Sequence, residues 1–129
     1  DKIRRNERTG TMQVRLQYYP EPLAPNDPYG VPYYPLVLFA FDPEKQRLMT
    51  PGFYRQNTNY ENLMVGSLMM ELYRHGLNPK EYAVPDKRTA ALIRPMAKAL
   101  GARVYVKRPL PEIDSAVRTV LKSVYGIDV

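Results

Sequence analysis

Pro35-Leu-Val-Leu-Phe-Ala-Phe-Asp42, followed after a short turn by Arg47-Leu-Met-Thr50, is the stretch that decides the fold. Its first segment is apolar at successive positions, which is typical of a central strand covered on both faces. The connecting Asp42-Pro-Glu-Lys-Gln46 contains turn-forming residues. The stretch therefore predicts a β-hairpin with its first strand in the middle of a sheet.

Helix and strand patterns alternate downstream of this hairpin. Apolar residues recur at helical spacing near residues 59–75, 87–100 and 111–125, and strand patterns lie at 81–85 and 102–107. Residues 53–56 predict a further edge strand. This order predicts an α/β (α+β) fold, with a mixed sheet of four to five strands, a leading β-hairpin and three helices.

The first 35 residues contain three segments of different composition. Residues 1–10 are polar and charged, so we expect a tail or linker there. Residues 11–19 alternate apolar and polar side chains, which predicts a strand with one face on the core and one in solvent. Residues 20–35 contain six prolines and three tyrosines and predict an extended arm. Residues 11–129 would then form a single domain.

Several residues predict local features of the helices. Thr58 and Glu61 fit a capping box at the start of the first helix, and Asp86 is placed to cap the second. Gly66 lies inside the first helix and suggests a close approach between helix and sheet. Pro95 is expected to kink the second helix.

Composition excludes several kinds of site. The 129 residues include no cysteine, which rules out disulfides and thiolate metal sites and is compatible with the cytoplasm, where we expect the protein. No apolar run approaches the ~20 residues of a membrane span, so no membrane association is expected. The seven glycines are scattered, which disfavours a phosphate-binding loop, and His75 is the single histidine.

Five motifs lie between about residues 34 and 124: Leu36-Val-Leu-Phe-Ala-Phe-Asp-Pro43, Asn78-Pro-Lys-Glu-Tyr-Ala-Val-Pro-Asp86, Ala91-Leu-Ile-Arg-Pro-Met-Ala-Lys-Ala-Leu-Gly101, Val104-Tyr-Val106 and Leu110-Pro-Glu-Ile-Asp-Ser-Ala116. In these motifs the chain resembles a family of uncharacterised bacterial domains of unknown function. These are strand, cap and helix motifs. The resemblance supports the fold and implies no catalytic residue.

The order of elements also resembles the topology of the ribonuclease H-like fold. That resemblance implies carboxylates on the first strand, in the first turn of the first helix and after the fourth strand, where they hold two divalent metals. The matching positions are Asp42, Glu61 and Asp86. Such a cluster, with Mg²⁺ or Mn²⁺, would support phosphodiester chemistry. At each position a turn or a helix cap explains the residue equally well.

Basic residues concentrate between residues 80 and 108, and the formal net charge is +6. A positive face favours an anionic partner. The candidate binding residues on this face are Lys87, Arg88, Arg94, Lys98, Lys107 and Arg108, with Tyr82 or Tyr105 to stack a base.

Two functional hypotheses follow. The first is a non-catalytic binding module without a cofactor, which contacts a protein partner or nucleic acid through the basic face and the arm. The arm at 20–35 could also mediate a homo-oligomer, or it could cover the edge of its own sheet. The alternative is a metal-dependent nuclease-like enzyme that uses Asp42, Glu61 and Asp86.

Overall fold

The computed structural model describes residues 2–22, 30, 32–49, 52–56 and 59–126. A short 3-10 helix at Ile3–Arg5 precedes the main elements. In chain order these are β1 (Thr9–Tyr18), β2 (Leu36–Asp42), β3 (Arg47–Met49), β4 (Phe53–Tyr54), α1 (Tyr60–Arg74), β5 (Pro79–Val84), α2 (Lys87–Ala99), β6 (Arg103–Val106) and α3 (Pro111–Tyr125). The hairpin, the short edge strand and the three helices lie where the sequence predicted them.

Within the described residues, six strands form one mixed sheet in the order β3-β2-β1-β5-β6, and β4 pairs with the beginning of β2. Strand β1 runs antiparallel to β2 and parallel to β5, and β6 runs parallel to β5. The predicted α/β class is therefore confirmed. The sheet has one strand more than the upper limit of the prediction.

Strand β2 is buried along its whole length, as its apolar sequence predicted. Leu36, Leu38 and Ala40 pack in the core that includes residues of α1 and α2. The alternate residues Val37, Phe39 and Phe41 pack on the other face of the sheet with residues of α3. Helices thus cover both faces of the sheet.

The polar face of β1 was expected in solvent, and that prediction was wrong. Helix α3 covers this face because the polar side chains bond to its first turn. Gln13 Oε1 accepts a hydrogen bond from the Ile113 amide at 3.0 Å, and Gln13 Nε2 donates to Glu112 at 3.1 Å. Arg15 forms an ion pair with Asp114 at 2.6 Å. The polar residues of the alternating pattern in β1 therefore form the face on which α3 docks.

The expectation of a tail at residues 1–10 also needs correction. Ile3 is buried in the core, and β1 begins at Thr9. Arg8 donates hydrogen bonds to Asn78 Oδ1 at 3.0 Å and to the carbonyls of Leu100 and Gly101 at 2.9 and 2.8 Å. A buried apolar side chain and a multiply bonded arginine thus help to hold this polar segment against the domain.

Other predictions fall partly outside the described residues. Half of the arm at 20–35 and Thr58 of the expected capping box lie there. The residue before α1 is Asn59, which makes no side-chain capping hydrogen bond. Helix α2 continues through Pro95 to Ala99. The close approach expected at Gly66 was wrong, because nothing in the described residues, apart from its chain neighbours and the adjoining helix backbone, lies within 4 Å of the position that its Cβ would occupy. None of the helices in the described ranges has the length and hydropathy of a membrane-spanning segment.

Gln13→Ala is expected to lower the free energy of unfolding by about 1–3 kcal/mol, because the buried Ile113 amide would lose its acceptor. Urea denaturation measures this change. Gln17→Ala is the matched control, since Gln17 shares this face of β1 but its amide oxygen has no hydrogen-bond partner among the described residues. The control should lose less than about 1 kcal/mol. Equal losses would contradict the role given to Gln13.

Candidate functional site

An apolar groove of about 690 Å³ lies between helix α2 and strand β6. Ala97, Ala102 and Val104 form its inner wall, and the outer side is formed by α2 residues Ala91, Arg94, Pro95 and Lys98. These four recur at helical spacing, so they share one face of α2. All four are exposed. The groove therefore combines an apolar floor with two basic side chains at its rim.

Pro95 interrupts the backbone hydrogen bonding of α2 beside the groove. Proline has no amide N–H, so it cannot donate to the carbonyl of Ala91 four residues earlier. Ala91 and Pro95 both line the groove. The Ala91 carbonyl is thus left with capacity to accept a hydrogen bond.

Strand β6 is the last strand of the sheet order, so its outer edge carries no neighbouring strand in the described part of the chain. The Lys107 amide donates inward to the Val84 carbonyl at 2.8 Å. Successive residues of a strand alternate in direction, so the backbone groups of Val106 and Val104 point outward. Unpaired groups at such an edge can pair with another extended chain.

The structure places the basic residues predicted as one binding face at several separate positions. Arg94 and Lys98 lie together at the groove, and neither forms an ion pair within the described ranges. Lys107 and Arg108 are exposed immediately after β6, and Lys87 is exposed in the first turn of α2.

Arg88 is engaged within the domain. Its guanidinium lies 5.6 Å from the centre of the Tyr18 ring. Hydrogen bonds to the hydroxyl groups of Tyr18 and Tyr60 raise the pKa of Arg88. These contacts join the end of β1 to the first turns of α1 and α2, so Arg88 serves the packing of these elements.

The prediction that Tyr82 could stack a base was wrong. Its side chain is 0% exposed and belongs to the core, and burial raises the pKa of its hydroxyl group. Tyr105 is 36% exposed. It pairs in register with Ala83, which packs with α3, so Tyr105 lies on the opposite face of the sheet from the groove.

The structure separates the three carboxylates predicted as an alternative metal site. Asp42 ends β2, which runs opposite to β5, whereas Asp86 follows the end of β5. Strand β1 lies between β2 and β5 and so separates the two aspartates. Glu61 is exposed in the first turn of α1. Among the described residues, no three histidine or acidic side chains form a group able to hold a metal ion.

Local hydrogen bonds account for two of these carboxylates. Asp42 Oδ1 accepts from the Glu44 amide at 3.1 Å, within the turn between β2 and β3. Asp86 Oδ1 accepts from the amide and the hydroxyl group of Thr89 at 2.8 and 2.7 Å. Asp86 therefore caps α2, as its position in the sequence predicted.

Comparison with protein families identifies one match. The model of the family described as "Domain of unknown function (DUF6930)" matches residues 1–121. The chain belongs to the DUF6930 family. This confirms the predicted resemblance to a family of unknown function. It also corrects its extent, because the match includes the N-terminal segment and the arm.

No curated protein matches the DUF6930 chain significantly. Among solved structures, a similar chain occurs in the cryo-EM structure of the simian T-cell lymphotropic virus intasome in complex with PP2A regulatory subunit B56 gamma. The two chains superpose with a TM-score of 0.60 and share 13% sequence identity. The match covers 91% of the DUF6930 chain and 41% of the other. At this identity the likeness concerns the fold alone.

Sequence reasoning missed the apolar part of the groove in the DUF6930 chain. Ala91 and Pro95 share a helix face with Arg94 and Lys98, and their helical spacing could have shown this. Val104 and Val106 became recognisable only when β6 was placed at the edge of the sheet. A strand pattern alone does not show which strand has an open edge.

Asp86→Ala is expected to lower the free energy of unfolding by about 0.5–2 kcal/mol through loss of the helix cap. Asp86→Asn should stay close to wild type, because asparagine retains a capping oxygen. Urea denaturation with and without Mg²⁺ measures both effects. Glu61→Ala is the control and should cost less than Asp86→Ala. A loss from Asp86→Asn as large as that from alanine, or a Mg²⁺-dependent gain in wild-type stability alone, would contradict the capping role.

Proposed function

We propose that this DUF6930 domain is a non-catalytic binding module that takes an extended, acidic segment of a protein partner in the α2–β6 groove. The observation that carries the proposal is the apolar groove beside an open strand edge, with Arg94 and Lys98 at its rim. An extended segment would add a strand to β6 and place alternate side chains in the groove.

The edge of β6 supplies the main-chain part of this interaction. The outward backbone groups of Val104 and Val106 would pair with the added strand. Val106 is 45% exposed and offers an apolar contact next to the groove. Pairing through the main chain supplies affinity, while the groove selects the side chains that alternate along the added segment.

The positive charge around the groove favours a bound segment with acidic side chains. Arg94 and Lys98 have no acidic partner in the described part of the chain, and Lys107 and Arg108 extend the positive region beyond β6. Acidic side chains on the added segment would pair with these cations. Such pairs speed association and set the register more than they raise affinity.

A peptide fits this surface better than nucleic acid does. The groove is mostly apolar, and its lining residues include no aromatic side chain among those described. Tyr82 is buried, and Tyr105 lies on the other face of the sheet. Single-stranded nucleic acid binding usually combines cations with aromatic stacking platforms. The groove has the cations but no aromatic side chain on which a base could stack.

We also propose that the sheet is of the ribonuclease H-like kind. The order β3-β2-β1-β5-β6, with β2 alone antiparallel to β1, supports this. The first strand of that topology is then β1 rather than β2. Strand β1 reads Thr-Gly-Thr-Met-Gln-Val-Arg-Leu-Gln-Tyr and contains no carboxylate. This counts against the nuclease alternative with Asp42.

The geometry of the groove does not test two further expectations, the role of the arm and the location of the protein in the cell. A role of the arm at 20–35 in partner binding or in a homo-oligomer stays a prediction, since half of that segment lies outside the described residues. A cytoplasmic location remains part of the proposal, and the absence of cysteine supports it.

The double variant Arg94→Glu, Lys98→Glu is expected to weaken binding of a short fluorescein-labelled peptide by about tenfold or more, because like charges would then face each other. The peptide carries valine and glutamate in turn at every second position, with threonine between them, so that both kinds of side chain face the groove side of the added strand. Fluorescence anisotropy at two salt concentrations gives the dissociation constants. Val106→Pro should also weaken binding, because proline removes an outward N–H and leaves the pairing with β5 intact.

Arg118→Glu, Lys122→Glu is the matched control for the double variant. It changes the same residue types at the same spacing on α3, lowers the formal net charge equally, and lies on the other face of the sheet. Peptide binding should stay within about twofold of wild type for this control. Failure of the peptide to bind, equal losses in both double variants, or tighter binding of a single-stranded oligothymidylate that only the groove variant loses would overturn the proposal.

A further inference from the structure

In the described part of the chain, strand β6 is open on the face of the sheet that lies opposite the α2–β6 groove. Helix α3 lies on that side, but it packs mainly against β1, β2 and β3. Arg103, Tyr105 and Lys107 follow one another at every second position, and all three are exposed. Arg103 pairs in register with Glu81 and Tyr105 with Ala83, which places their side chains on the α3 side. The three residues therefore form a line of exposed side chains, which we call the β6 row.

Arg103 ends a ladder of polar side chains that crosses β1, β5 and β6 in register. The Thr11 hydroxyl group donates to Glu81 Oε1 at 2.5 Å, and Arg103 Nη2 donates to Glu81 Oε2 at 2.7 Å. These two hydrogen bonds lower the pKa of Glu81. The Arg103 side chain is 82% exposed, and a guanidinium group has five N–H donors. Arg103 therefore keeps donors for a second carboxylate on the outer side of β6.

Lys107 has a similar position at the other end of the β6 row. The backbone amide of Glu112 and the Gln13 side chain lower the pKa of the Glu112 carboxyl group, and the positive charge of Lys107 lowers it further. Lys107 forms no ion pair within 4 Å in the described ranges. Tyr105, which is 36% exposed, lies between the two cations. The β6 row thus carries a positive, an aromatic and a positive side chain, and each cation has an acidic residue of the domain on its inner side.

We infer that the segment added to β6 carries an acidic, an apolar and a second acidic residue at every second position, on the side that faces away from the groove. This inference rests on the proposed function, because it requires an added strand. Side chains directly opposite each other on neighbouring strands make contact, and opposite charges or an aromatic ring with a β-branched side chain stabilise such a pair. The acidic residues pair with Arg103 and Lys107, and the apolar residue lies opposite Tyr105. The pattern is symmetrical about Tyr105, so it is the same for either direction of the added strand.

The two faces of β6 then select different side chains of the same segment. The groove takes alternate side chains beside Arg94 and Lys98, whereas the β6 row takes the side chains between them. A shift of the segment by two residues would place an acidic residue opposite Tyr105 and the apolar residue opposite a cation. A shift by one residue would exchange the two faces of the segment. The β6 row therefore sets the register in which the segment binds.

Two peptides of identical composition test the inference. Both are derived from the peptide of valine, glutamate and threonine described above, by replacing three successive threonines. The first peptide has glutamate, isoleucine and glutamate at these positions, and the second has isoleucine, glutamate and glutamate. In any register the second peptide can form at most two of the three contacts with the β6 row. Wild type should therefore bind the first peptide about twofold to fivefold more tightly, as measured by fluorescence anisotropy.

The double variant Arg103→Gln, Lys107→Gln should bring the two dissociation constants to within about 1.5-fold of each other, because neither cation remains to read the order of the acidic residues. Arg118→Gln, Lys122→Gln is the matched control, since it removes the same residue types from α3 and should keep the wild-type ratio. If the threonine peptide binds but wild type shows no preference, or the Arg103 and Lys107 variant keeps it, the inference alone is overturned. Failure of all three peptides to bind would overturn the proposed function and this inference with it.

Discussion

The structure depends on the pairing of β1 with two partners of opposite direction. Six residues of β1, Gln13–Tyr18, pair with the antiparallel β2, and residues between Thr9 and Gln13 pair with the parallel β5. Among the described residues, the strands of the hairpin half hydrogen-bond to those of the helix–strand half only through β1. Without β1, the buried apolar faces of β2 and β5 would have no common sheet and would expose their side chains to water.

The two faces of β1 hold the helices by different means. Met12 and Val14 join the core under α1 and α2, where burial of apolar surface supplies the stabilisation. Gln13 and Arg15 on the other face bond to the first turn of α3 and so fix where that helix begins. The position of α2 beside β6 defines the groove, and β6 joins the sheet through β5, which pairs with β1. The candidate site thus depends on the placement of β1.

The sequence predicted the local elements well and their arrangement less well. The buried β2, the hairpin, the cap at Asp86 and the three helices follow from residue periodicity and short-range hydrogen bonding, which a sequence records directly. The errors at residues 1–10, Gln13 and Tyr82 share one cause, since each depends on which distant element lies against that segment. The basic residues were predicted from composition. Their division between the groove and the Tyr18–Tyr60 junction required the three-dimensional structure.

Amide hydrogen exchange followed by NMR tests the central role of β1 most directly. Amides from Met12 to Leu16 should exchange only through global unfolding and match the slowest amides of β2 and β5, because this part of β1 is paired within the sheet and covered by helices. Exchange of these amides at rates typical of a frayed terminal segment, while β2 and β5 stay protected, would contradict the account.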